Sequence, residues 1–109
     1  MARLMDTLTR LEATIAERRS ASPDSSYVAK LNARGLPVIA RKLGEEAVEA
    51  IIAALAENRE ELVGEAADIL FHLIVLLNAR DIPLADVLSE LDRRDGVSGL
   101  DEKASREAQ

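Results

Sequence analysis

Between Ile69 and Leu77 a single residue, His72, interrupts an otherwise apolar run. No alternation of period two supports a strand there, so the segment reads as part of a helix that is apolar on nearly all sides. Such a helix must be buried on nearly all sides. In a chain of 109 residues the ratio of surface to interior is high, and one copy can hardly provide the cover, which predicts a partner subunit. The surrounding core must be aliphatic, because 48% of the residues are hydrophobic but only 2% aromatic. The expected fold is all-α, a helical bundle with two long antiparallel helices, completed by dimerisation.

The rest of the chain fits this frame. Leu4, Leu8, Leu11 and Ile15 recur at intervals of four, three and four, an amphipathic helix ending near Arg19. Ser20–Ser26, with Pro23 and Asp24, reads as a loop that offers helix N-caps, and a short helix over Tyr27–Ala33 is closed by Gly35. From Leu36 to about Glu57 a wide apolar face recurs at helical spacing. Asn58 followed by Glu61 resembles a capping box that opens a second long helix running to about Arg80. After the break at Asp81–Pro83, Leu84, Val87, Leu88 and Leu91 form a last amphipathic helix to about Arg94. Residues 1–94 are therefore expected to be one domain, and Asp95–Gln109 a flexible tail.

Twenty acidic against fourteen basic residues give a net charge of −6, which argues against a general affinity for nucleic acid or anionic membrane. An acidic protein that handles an anionic substrate needs cations as a bridge. Cysteine is absent, which removes disulfides and thiolate metal sites. Asp6, Arg10, Glu12, Glu17 and Arg18 break up the N-terminal segment, no apolar run is long enough to span a bilayer, and a cytoplasmic protein is expected.

Each long helix carries two carboxylates three residues apart, Glu46 and Glu49 on the first, Glu65 and Asp68 on the second. Three residues leave the members of a pair about 60° apart around the axis, so both point the same way. The pairs flank the Asn58 turn at similar distances, so all four can converge. Glutamates at this spacing commonly mark a solvated helix face. Here the neighbours are Ala47, Val48, Ala50, Ala66, Ala67 and Ile69, among which unpaired carboxylates would be costly. The compensation is a hard cation, Mg²⁺ or Mn²⁺, rather than zinc. Adjacent Glu45 can be a further ligand, a base toward water, or surface.

Lys42-Leu43-Gly44-Glu45-Glu46-Ala47-Val48-Glu49, followed by Glu65-Ala66-Ala67-Asp68, resembles the E-x-x-E…E-x-x-D signature of the all-α, MazG-like nucleoside triphosphate pyrophosphohydrolases. Asp24-Ser25-Ser26-Tyr27-Val28-Ala29-Lys30-Leu31, Gly35 and Asp68-Ile69-Leu70-Phe71-His72-Leu73 make it similar, within them, to the phosphoribosyl-ATP pyrophosphatases of histidine biosynthesis. The similarity runs from about Leu4 to Arg94. It implies a homodimeric or larger enzyme that hydrolyses phosphoribosyl-ATP to phosphoribosyl-AMP and pyrophosphate with Mg²⁺. The alternative is a related enzyme that clears canonical or damaged nucleotides. A non-enzymatic helical interaction module is the third reading. Pro83 stands where a capping Ser or Asp is expected, and the tail matches nothing familiar.

For such a reaction Glu46, Glu49, Glu65 and Asp68 are expected to hold Mg²⁺, while Glu45 or one of the four orients or deprotonates the attacking water. Lys30 and Lys42 are candidates for phosphate contact, whereas Arg34 and Arg41 fit a solvated role. Tyr27 can stack on adenine or simply pack. His72 lies one turn beyond Asp68 and can be a hydrogen-bonded core residue, a support for Asp68, or a contact to substrate. Phe71 is most simply core.

Overall fold

The structure is a computed structural model and describes residues 2–96, 103 and 106. The expectation of a flexible tail from Asp95 onward falls almost wholly outside these residues. Five helices follow one another, α1 (Ala2–Arg18), α2 (Tyr27–Arg34), α3 (Leu36–Leu55), α4 (Arg59–Ala79) and α5 (Leu84–Arg94), and among the described residues there is no strand.

The local reasons for these boundaries are visible residue by residue. Ser26 has extended backbone and its hydroxyl accepts from Ala29 N at 3.2 Å, which opens α2. Gly35, at φ +100°, closes α2 through its N–H to Leu31 O and is at once the residue from which α3 departs, with Pro37 in the first turn. The α3 helix stops at Leu55, two residues short of the expected Glu57. Glu57 takes φ +58°, Asn58 N bonds back to Ala53 O and Glu57 N to Ala54 O, the six-to-one and five-to-two pattern that reverses a chain at a helix end. Asn58 then caps α4 through its side-chain oxygen on Glu61 N at 3.1 Å. The α4 helix ends in the same way, with Asp81 at φ +58° and the bonds Ile82 N to Leu77 O and Asp81 N to Asn78 O.

The three-residue reversal lays α4 back along α3, the most extensive pairing in the fold. Ile15, Val28, Leu31, Ile39, Ile74, Val75 and Leu84 form the core, with Leu8, Leu11, Phe71, Val87 and Leu88 packed around it. Pro83 provides no cap for α5. The missing acceptor comes from α1, where Glu12 Oε2 takes Leu84 N at 2.7 Å. A carboxylate at a helix N-terminus is favourable also through the helix dipole. At the C-terminal end of α4, Arg19 donates to Asn78 O at 2.9 Å and reaches Asp81 at 3.2 Å.

The apolar run on α4 is only partly covered by this chain. Of Ile69–Leu77, His72, Ile74 and Val75 are buried, while Leu70 remains 45% exposed. On α3 the residues Val48, Ile51, Ile52 and Leu55 share one face and are all more than half exposed. Among the described residues α4 is also the one helix long and apolar enough to cross a membrane. It reaches that length only by including Glu65 and Asp68, both costly in lipid.

Candidate active site

The reversal at Glu57–Asn58 places α3 and α4 so that Glu46, Glu49 and Glu65 each direct a carboxylate oxygen to one place, all within 4.8 Å of one another. Glu49 is exposed, and Glu46 and Glu65 are half-buried. Asp68, on the next turn of α4, is exposed and stands outside this three-residue group. Spacing along one helix gives the direction of a side chain. It does not give its height relative to the neighbouring helix, and that height brings Glu65 level with the α3 pair.

Three like charges this close repel one another, so ionising the last of them without a counter-charge is unfavourable. Glu65 bears the strain, its carboxyl pushed up to about 7, first by contact with the Glu46 carboxyl, then by burial, then by contact with Glu49 and the negative charge of both. Although the residue is half-buried as a whole, its Oε2 is enclosed and has no hydrogen-bond partner. An enclosed carboxylate oxygen facing two others is an oxygen-only donor set with one coordination demand unmet. These residues fit a hard divalent cation.

The remaining expected residues fall into two groups. Glu45 lies between cations, 3.9 Å from Arg41 Nε and 3.7 Å from Lys42 Nζ, and does not join the carboxylate group. Both pairs are largely solvent-accessible and worth little to stability, and Arg41 and Glu45 line an open groove together with Gly44, Val48, Glu49 and Ile52. Lys30 and Arg34 are exposed on α2.

Tyr27 and His72 meet, although 45 residues apart, and their oxygen and Nε2 are 2.8 Å from each other. His72 Nδ1 lies 2.7 Å from Asp68 O. A carbonyl oxygen only accepts, so Nδ1 carries the proton, and in the neutral ring Nε2 is left to accept from the Tyr27 hydroxyl. His72 is 5% exposed, and both of its ring nitrogens are engaged inside the fold. Phe71 completes the cluster, stacked on Tyr27 at 6.0 Å between centroids. Burial holds the Tyr27 hydroxyl above its usual range, and Glu46, Asp68 and Glu45 add to this, partly offset by Arg34. The aromatic cluster therefore lies in the field of the acidic group. Nothing in the sequence around Phe71 distinguished it from core.

An all-α fold in which two antiparallel helices bring carboxylates to one point defines a helical protein with an acidic, cation-accepting centre. Comparison with known proteins narrows the class. The chain belongs to the phosphoribosyl-ATP pyrophosphohydrolase family, a family of hydrolases whose model matches residues 8–95. It is 69% identical over 102 residues to the phosphoribosyl-ATP pyrophosphatase of Erythrobacter litoralis, covering 94% of this chain and 98% of that one. It is 66% identical over 101 residues to the enzyme of the same name from Novosphingobium aromaticivorans, covering 93% and 94%. A third, from Rhizorhabdus wittichii, is 64% identical over 100 residues, covering 92% and 94%.

Proposed function

We propose that this chain hydrolyses phosphoribosyl-ATP to phosphoribosyl-AMP and pyrophosphate, the second step of histidine biosynthesis, in the cytoplasm. The observation that carries the reading is the meeting of Glu46, Glu49 and Glu65 within 4.8 Å, with an unpartnered oxygen on Glu65, in a chain of this family. Glu46, Glu49 and Glu65 would hold Mg²⁺, or Mn²⁺ in its place, with Asp68 as the fourth ligand on the open side. A divalent cation there supplies charge neutralisation for the triphosphate and eases deprotonation of the attacking water. Glu49, exposed at the groove, would orient that water. Glu45 can accept its proton, while Lys42, beside it, and Lys30 on α2 meet the phosphates. Neutral Tyr27 faces the same acidic field without adding to it.

The working unit is a homodimer in this reading. Among the described residues nine hydrophobic side chains are buried and eleven large ones are exposed. The radius of gyration, 16.1 Å, exceeds the roughly 13 Å of a compact chain of this length. Val48, Ile51, Ile52 and Leu55 on α3 and Leu62, Val63 and Leu70 on α4 would be covered by a second copy.

The test is pyrophosphate release from phosphoribosyl-ATP with Mg²⁺ and with a chelator, beside a panel of deoxynucleoside triphosphates. Metal-dependent release with preference for phosphoribosyl-ATP is expected. Preference for a deoxynucleotide, or equal turnover in chelator, would overturn the proposal.

A further inference from the structure

Tyr27 is 46% exposed and yet fixed at two points. Its hydroxyl is held by His72 Nε2 at 2.8 Å, and Phe71 stacks against it with ring planes 24° apart. His72 is held in turn by the Asp68 carbonyl at 2.7 Å and by the ring of Phe71, which it meets edge-on at 5.2 Å. One face of the tyrosine is thus backed by an aromatic ring while the residue as a whole stays open to solvent. A ring serving the core alone would be enclosed by it. This one is displayed, at an angle set during folding, so a planar ligand meets it without further ordering. The ring also lies in the field of Glu46, Asp68 and Glu45, on the side of the fold where the carboxylates gather.

We propose that Tyr27 is the platform on which the base of the nucleotide substrate stacks, and that buried His72 is a positioning residue that fixes the Tyr27 ring for it. The proposal rests on the reading of the acidic site as a nucleotide pyrophosphohydrolase and adds where the base goes. Stacking recognises the face that every base presents, so Tyr27 governs affinity for a base-bearing ligand rather than choice among bases. His72 acts only through the tyrosine hydroxyl.

The chain has one tyrosine and no tryptophan, so its tyrosine emission reports Tyr27 alone. Titration of the Mg²⁺-loaded protein with phosphoribosyl-AMP, corrected for nucleotide absorbance, is expected to quench that emission saturably. Ribose 5-phosphate with pyrophosphate, which has no base, is expected to leave it unchanged. In turnover of phosphoribosyl-ATP, Tyr27→Ala should raise KM about tenfold, the scale of one base stack, with kcat nearly unchanged. Tyr27→Phe, which keeps the ring and frees it from His72, should raise KM less than Tyr27→Ala does. Absence of saturable quenching, or a KM unchanged in Tyr27→Ala while its thermal midpoint falls, would overturn the platform and leave the hydrolase reading standing. Wild-type protein that releases no pyrophosphate would overturn both.

Discussion

Glu65 is the residue on which the site turns. Its carboxyl is raised from an ordinary 4.5 to about 7 by Glu46, burial and Glu49, so between those values the folded chain binds more protons than the unfolded one. Stability contributed by that proton is complete below pH 4.5 and is lost as pH rises through 7. In chelator, the urea midpoint should therefore fall between pH 5 and pH 7.5, and Mg²⁺ should remove most of that fall. Glu65→Gln separates the two effects. It should raise the thermal midpoint in chelator at pH 7.5, because one of three crowded charges is gone. The variant should also lose the stabilisation by Mg²⁺, about 2.7 kcal/mol for wild type at a hundredfold excess over Kd. A variant still stabilised by Mg²⁺ would place the cation elsewhere. Much of this centre was legible in the sequence, because helical spacing alone aims Glu46 with Glu49. The relative height of two helices was not, and it separates Asp68 from the other three. The Tyr27–His72 bond was equally hidden, since no local pattern announces a contact across 45 residues.

At the scale of elements, the ends of the helices carried the clearest signals. Gly35, Ser26 and Asn58 each cap as their residue types predict, while the Asn58 N–H, which a full capping box would give to the Glu61 carboxylate, goes to Ala53 O. The exceptions are instructive. Glu57 and Asp81 occupy left-handed backbone that glycine usually takes, so Glu57→Gly should stabilise the α3–α4 reversal by roughly 0.5–1 kcal/mol in urea denaturation. Pro83 lacks a side chain that can cap, and the sequence offered no hint that Glu12, 72 residues earlier, caps α5 in its place. Glu12→Ala should cost about 1 kcal/mol, Glu12→Gln less, and neither should change the response to Mg²⁺. A loss of metal-induced stabilisation in Glu12→Ala would show that α5 and the acidic centre are energetically joined.

For the whole molecule, the apolar run on α4 led to the expectation of a partner subunit, and the exposed stripe on α3 is a face such a partner would cover. The stripe residues sit at helical spacing 48, 51, 52 and 55, a face that burial in a partner would stabilise by roughly 25 cal/mol per Å² removed from water. Sedimentation should show a dimer, and Ile51→Asp with Leu55→Asp should yield a less stable monomer. A monomeric wild-type chain would sink the homodimer. The stripe begins at Val48, immediately beside Glu49, and the open groove is shared by both residues. A second chain seated there would stiffen the very turn of helix that presents a carboxylate, so self-association and cation uptake would each raise the other by mass action. Diluting the protein would then demand more Mg²⁺ for half-saturation, and the chain's own concentration would act as an effector of its chemistry.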